Sequence, residues 1–217
     1  MEKMKIMIWS DFVCPFCYIG QAHLYKALKG FENAEKVDIE YKSFILSPDA
    51  QYSPGQDYFQ HFAEMKGIFV DEARAMFKQV TDMGLSAGVN INYDLAKDAN
   101  TYDAHRVLQY AKELGKGADY TRRFYKAFFS EGEILSDKET IIRLSEEVGM
   151  EGEKVKSILD GDEYAENADQ DIYESRLIGV NSVPFFVFNN KYSLSGAQPV
   201  QEFSRMLEKV WKEEKAE

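Results

Sequence analysis

The beginning of the chain has two stretches with a strand pattern and a helical pattern between them. Residues 4–9 are apolar and β-prone, and residues 37–44 alternate between apolar and polar, so each predicts a β-strand. From Tyr18 to Leu28, apolar residues recur at helical spacing, and Gly30 follows as an expected stop. This order predicts a β-α-β unit with a parallel strand pair and a right-handed crossover.

The rest of the chain is mostly patterned as helices. The pattern of residues from about 50 to 160 predicts an all-helical block. Its helices are expected near Phe59 and Asp71 and at 98–114, 119–129 and 137–148. A helix over 163–178, strands over 183–188 and 191–194 joined by an Asn-Asn turn, and a last helix from Val200 follow. We therefore predict an α/β fold: a sheet domain made of residues 1–46 and 161–217, split by a helical insertion of residues 47–160.

Composition and charge exclude several classes of protein. Of the 217 residues, 45% are hydrophobic, which predicts a folded chain with a substantial core. The net charge of −11 disfavours binding to nucleic acid. No apolar stretch is long enough to span a membrane, and the first nine residues lack the apolar region of a signal peptide, so we expect a cytoplasmic protein.

The only two cysteines are Cys14 and Cys17, at the predicted start of the first helix. Residues three apart on a helix share a face, so the two sulfurs can meet. A helix start favours an anion, so Cys14 is expected to be an accessible thiolate that attacks disulfides. Cys17, one turn further, is expected to be the resolving thiol. Asp11, three residues before Cys14, could either disfavour this thiolate or cap the turn.

Other interpretations of the cysteine pair remain open. A zinc site would need further ligands, and the three histidines His23, His61 and His105 fit no common zinc spacing, so we expect no metal. A static disulfide would close a very small ring in a reducing compartment. Two inert buried thiols are the third alternative.

A proline begins the apolar segment Val183-Pro-Phe-Phe-Val-Phe188. Proline cannot donate to a sheet ladder, so it belongs at a strand's first residue or at an edge. A cis bond here would leave the Val183 N–H and C=O beside the sulfurs, where a substrate chain could pair with them; an ordinary trans proline is the alternative.

These features together resemble one family. Ser10-Asp-Phe-Val-Cys-Pro-Phe-Cys-Tyr-Ile-Gly20, a helical insertion, and Val183-Pro184 before a strand are similar to the DsbA family of thioredoxin-fold proteins. The segments Asn100-Thr-Tyr-Asp-Ala-His-Arg106 and Ser195-Gly-Ala-Gln-Pro199 resemble its FrnE-like cytosolic branch.

The resemblance implies a thioredoxin-like fold with a large helical insertion and a thiol-disulfide oxidoreductase. Cys14 would be the nucleophile and Cys17 the resolver, with Val183 and Pro184 as a cis-proline loop that contacts substrate. Pro15, Phe16 and His105 are further candidate substrate contacts, although an ordinary satisfied histidine is the alternative for His105. Strongly oxidising relatives carry histidine where this chain has Phe16, so we predict a weaker oxidant.

Two other functions stay open. One is a glutathione-dependent isomerase or transferase of the 2-hydroxychromene-2-carboxylate isomerase and kappa type. The other is a non-enzymatic adaptor whose thiols act as a sensor. We expect thiol- or disulfide-containing proteins or small molecules as partners and no resident cofactor, with glutathione as a candidate thiol partner.

Overall fold

The structure is a computed structural model that describes residues 3–214. Its strands and helices follow in this order: β1 (Met4–Ser10), α1 (Pro15–Lys29), β2 (Val37–Ser43), α2 (Tyr58–Lys66), α3 (Val70–Ala87), α4 (Tyr102–Glu113), α5 (Gly117–Lys126), α6 (Lys138–Glu147), α7 (Gly152–Asp160), α8 (Ala165–Leu177), β3 (Phe185–Phe188), β4 (Tyr192–Ser195) and α9 (Val200–Glu214).

The strands form one mixed sheet in the order β2-β1-β3-β4. Strand β1 runs parallel to β2, with Met4 opposite Val37, and antiparallel to β3, with Ile8 opposite Phe186. The parallel pair and the β3–β4 hairpin confirm the predicted strand arrangement. Because β1 lies between two neighbours and is covered by helices, residues from Ile8 to Ser10 are buried on both faces of the sheet.

Only helices and turns occur in the described chain between β2 and β3. Helices α4, α5 and α8 pack on β2, and α1 packs between α9 and α3. This arrangement confirms an α/β thioredoxin-like fold with a helical insertion, while the exact boundaries of the two predicted domains stay a prediction. Among residues 3–214, no helix combines the length and the apolar character needed to cross a membrane.

Three details of the helical block differ from the sequence prediction. The segment 119–129 is not one α-helix, because α5 ends at Lys126 and a π-helical turn (Ala127–Glu131) follows. Helix α4 begins at Tyr102, since the preceding residues 98–101 use their side chains in contacts with other segments. The short helix α7 was missed, although its buried Val155, Ile158 and Leu159 have helical spacing.

Candidate active site

Cys14 lies at the point where β1 has ended and α1 begins. Its backbone is extended and its N–H donates to the Asp11 carbonyl at 3.1 Å, which holds the loop that connects strand and helix. Pro15 occupies the first helical position, where its missing N–H costs nothing. The Cys14 carbonyl accepts from the N–H groups of Cys17 and Tyr18, at 3.1 and 3.3 Å, so Cys17 lies one turn into the helix. The Cys14 side chain therefore lies at the positive end of the helix dipole of α1.

Both cysteines are free thiols and both are buried, Cys14 at 3% exposure and Cys17 at 1%. The expectation of an accessible Cys14 is therefore wrong for the free protein, because the surrounding segments cover the sulfur. Phe16 is the part of the motif that reaches solvent, with 39% of its surface exposed, and Pro15 is half-buried. A substrate disulfide can meet the sulfur only after some of this cover has moved.

The segment that begins β3 lies against the Cys14 sulfur. The Val183–Pro184 peptide bond is cis, and the Cys14 Sγ donates to the Val183 carbonyl at 3.6 Å. The Pro184 carbonyl accepts from the Gly196 N–H at 2.8 Å, which fixes the proline to the end of β4. The fold therefore brings together Cys14, Cys17, Val183 and Pro184, four of the residues that the sequence singled out.

Gly20 is a site residue whose role the sequence analysis did not recognise. It lies in α1, two turns after Cys14, where a Cβ would be 3.0 Å from Cγ of Pro184 and 3.2 Å from Cζ of Phe186. Such contacts are tighter than most real Cβ contacts, so a side chain here would force Pro184 or Phe186 to shift by a few tenths of an ångström. The one signal in the sequence was that Gly20 lies inside a predicted helix, where a glycine can indicate that another segment approaches the helix closely.

The two thiols have different surroundings. Burial raises the pKa of the Cys17 thiol well above its ordinary value, and the hydrogen bond and charge of the Cys14 sulfur raise it further. A backbone hydrogen bond at Asp11 offsets part of this rise, whereas the Asp11 carboxylate adds to it. Cys17 therefore remains a protonated thiol at neutral pH until something lowers the cost of its anion, as expected for a resolving group.

Asp11 connects the cysteine loop to the helical insertion. Its fully buried carboxylate accepts from the Leu46 N–H and from the Thr101 hydroxyl, each at 2.7 Å. The carboxylate does not cap the cysteine turn; these hydrogen bonds connect it to the segment after β2 and to the residue before α4. Asp11 thus places a buried negative charge beside Cys17.

His105 lies behind the cysteine loop and not at the surface. Its ring is fully buried, stacks on Phe12 at 4.5 Å, and places Nε2 3.4 Å from Oδ1 of Asp11. This position does not support the expected substrate contact, because no part of the ring is reachable from solvent in the free protein. Of the other histidines, His23 contacts the Gln198 carbonyl through Nδ1 and His61 pairs with Asp98.

Aromatic rings from α5 close the inner side of the site. The Tyr125 ring stacks on Tyr18 at 5.2 Å and meets Phe12 at 6.2 Å, and Tyr18 also stacks on Phe129 at 5.9 Å. Within residues 3–214, no group of three or more His, Cys, Asp or Glu side chains is arranged to hold a metal ion. The chemistry that this arrangement supports is that of two neighbouring thiols beside the backbone carbonyl of Val183.

The architecture and the paired cysteines at a helix start define a thioredoxin-like protein. The DSBA-like thioredoxin domain matches residues 5–208, so this chain belongs to the DsbA-like thioredoxin family. The uncharacterized protein YwbO of Bacillus subtilis is 30% identical over 193 residues, which cover 86% of this chain and 88% of YwbO.

Solved structures with the same architecture include proteins of different named activity. A probable DsbA oxidoreductase from Streptomyces coelicolor is 30% identical, with a TM-score of 0.90 over 97% of this chain and 91% of its own. A 2-hydroxychromene-2-carboxylate isomerase is 14% identical, with a TM-score of 0.70 over 98% of each chain. The cytosolic disulfide reductase DsbM of Pseudomonas aeruginosa, solved with GSH, is 16% identical, with a TM-score of 0.61 over 96% of this chain and 99% of its own. The last two likenesses show the fold alone.

Proposed function

We propose that this protein is a thiol-disulfide oxidoreductase that exchanges electrons between the Cys14–Cys17 pair and a disulfide or dithiol substrate. The observation that carries the proposal is the position of Cys14, at the start of α1 and in contact with the Val183 carbonyl before Pro184. The helix start stabilises a Cys14 thiolate, and the Val183 backbone gives an extended substrate chain a place to pair. Membership of the DsbA-like family supports the same activity.

The reduced protein would act in two displacement steps. The Cys14 thiolate attacks one sulfur of the substrate disulfide, which forms a mixed disulfide and releases the other sulfur as a thiolate. Cys17 then gives up its proton, which the released substrate thiolate can take up, and attacks Cys14. The Cys14–Cys17 bond forms, the mixed disulfide breaks, and the second substrate sulfur leaves. Two electrons have passed from the protein to the substrate, and the reverse sequence oxidises a dithiol.

The burial of Cys14 implies that a substrate displaces part of the site's cover before the first step. We propose that the Phe16 side chain is the group that moves, because it is the part of the motif that is exposed to solvent. Small disulfides, glutathione disulfide among them, would need less displacement than folded proteins. We further propose that the protein works in the cytoplasm, where thiols are kept reduced. The name of DsbM places that protein in the same compartment.

Two single-cysteine variants test the proposal. Cys14→Ser should abolish the rapid reaction with an alkylating reagent and with a disulfide substrate. Cys17→Ser should keep the rapid reaction and trap a stable mixed disulfide, visible as a mass increase or a gel shift. Equal, slow labelling of both cysteines in the wild-type protein at neutral pH would contradict the proposal.

The glutathione-dependent isomerase remains the second candidate, because the isomerase shares the fold over 98% of this chain. This candidate is weaker, since Cys14 already supplies a sulfur at the place where such an enzyme would bind the thiol of glutathione. Tight binding of glutathione without mixed-disulfide formation would favour the isomerase. Retained cellular function in the Cys14→Ser/Cys17→Ser variant would instead favour the adaptor.

A further inference from the structure

Tyr125 of α5 is fully buried between the residues that flank the cysteine motif. Its ring stacks on Tyr18, the residue after Cys17, and meets the edge of Phe12, two residues before Cys14. Contacts on both sides of the motif fix this tyrosine against the inner face of the site.

The Tyr125 hydroxyl has no hydrogen-bond partner among residues 3–214. The Ser10 hydroxyl comes close enough to lower its pKa slightly, but at a geometry that does not make a hydrogen bond. Two other fully buried tyrosines are different, because Tyr120 donates to the Ala104 carbonyl and Tyr41 accepts from the Gln21 amide. A buried hydroxyl without a partner is costly and therefore uncommon, so it suggests that a partner forms in another state of the protein.

The ring contacts with Tyr18 and Phe12 place Tyr125 beside the cysteine motif, and the charges that act on its hydroxyl agree with that position. Burial raises the pKa of Tyr125 well above its ordinary value, and the negative charge of Cys17 is the largest electrostatic contribution to that rise. Tyr41 and Cys14 raise the pKa of Tyr125 by smaller amounts. The phenol therefore keeps its proton even beside a thiolate, so it is a hydrogen-bond donor and not a base.

We propose that the Tyr125 hydroxyl donates a hydrogen bond to the Cys17 sulfur when that sulfur becomes a thiolate, and so assists the resolving step. The proposal rests on the proposed function. In that step Cys17 gives up its proton to the substrate thiolate already released, the Cys17 thiolate bonds to Cys14, and the second substrate sulfur leaves as the mixed disulfide breaks. Beside the backbone hydrogen bond at Asp11, the hydroxyl would give the Cys17 anion a second neutral donor, one that stabilises the anion without remaining charged when the anion is gone.

The test is a stopped-flow reaction of the reduced protein with dithiobis(nitrobenzoate), an aromatic disulfide whose released thiol is coloured. The first release reports the attack by Cys14, and the second reports the resolution by Cys17. Tyr125→Phe removes only the unpartnered hydroxyl and leaves the ring contacts. We expect the ratio of the second rate to the first to fall on the order of tenfold at neutral pH, and its pH midpoint to rise by about one unit. Tyr120→Phe, which removes a hydroxyl that is already bonded, should leave that ratio unchanged.

A second measurement isolates the Cys17 anion. In the Cys14→Ser background, the ultraviolet absorption of the Cys17 thiolate is titrated with and without Tyr125→Phe, and the titration should move to higher pH when the hydroxyl is missing. An unchanged rate ratio, an unchanged titration, or an equal effect of Tyr120→Phe would overturn the role of Tyr125. A missing first release would instead refute the exchange activity itself, so the two failures are distinguishable.

Discussion

Replacing Gly20 with alanine should disturb the site through one contact. The added methyl group would lie 3.0 Å from Cγ of Pro184, so one of the two segments must shift by a few tenths of an ångström. The proline ring is rigid and its carbonyl is bonded to Gly196, so it cannot rotate away as a long side chain would. The shift therefore reaches the Val183 carbonyl, which is 3.6 Å from the Cys14 sulfur and near the limit of a hydrogen bond to sulfur.

Two effects on stability oppose each other in Gly20→Ala. Alanine in a helix interior stabilises by about 1 kcal/mol relative to glycine. Overpacking of a close contact costs about 1–3 kcal/mol. The net destabilisation should be about 0–2 kcal/mol, measurable as a lower midpoint in urea. The rate with a peptide disulfide should fall on the order of tenfold, since small misplacements of reacting groups are costly.

A control glycine separates the site from the helix. In Gly152→Ala the new methyl group meets only the flexible end of the Glu146 side chain, which can move aside. This variant should keep the wild-type rate and gain a little stability. If Gly20→Ala reduces the peptide disulfide as fast as the wild type, or if Gly152→Ala loses as much activity, the argument from the Pro184 contact fails.

Two further variants test the charges. Phe16→His places a cationic donor beside Cys14 and should raise the reduction potential by about 30 mV for each 1.4 kcal/mol of added stabilisation of the thiolate. Equilibration with glutathione buffers measures this, with Phe16→Leu as the control; equal shifts in both variants would contradict the electrostatic reason. Glu40 is half-buried, which favours its neutral form, but the hydrogen bond from Lys5 and the charges of nearby lysines lower its pKa to about 2. Because the folded pKa is the lower one, this stabilisation is present above pH about 4.5 and is lost as the pH falls toward about 2. Glu40→Gln should flatten this acid part of the urea-midpoint profile, and the exposed Glu35→Gln should not; an unchanged slope in Glu40→Gln would disprove the assignment.

The sequence predicts those parts of the site that depend on local patterns. The strand before Cys14, the proline after it and the proline-led strand at Pro184 each have a short-range signal, so the sheet and both cysteines could be placed in advance. The surroundings of Cys17 could not be predicted, because Thr101 and Tyr125, which help to form them, lie about a hundred positions further along the chain. The residues around Asp11 in the sequence do not indicate that Thr101 donates a hydrogen bond to it. Tyr125 fits the helical pattern of buried positions and has no local feature that connects it to the cysteines. The predicted substrate contact of His105 fails for the same reason. A helical pattern shows which residues share a face, but not what that face contacts.

The contacts of the insertion argue that it is part of the redox site and not an appendage to it. The sheet domain supplies the sulfurs, the helix start and the Val183 carbonyl, all of which act on Cys14. Thr101, just before α4, holds the Asp11 carboxylate, and Tyr125 of α5 packs on Tyr18, so we expect a thioredoxin-like unit without the insertion to bury Cys17 less completely. Exposure would remove the burial that raises the pKa of Cys17, and with it the difference between the two cysteines. If the proposed exchange mechanism holds, the roles of the two thiols therefore depend on the insertion as well as on the motif itself.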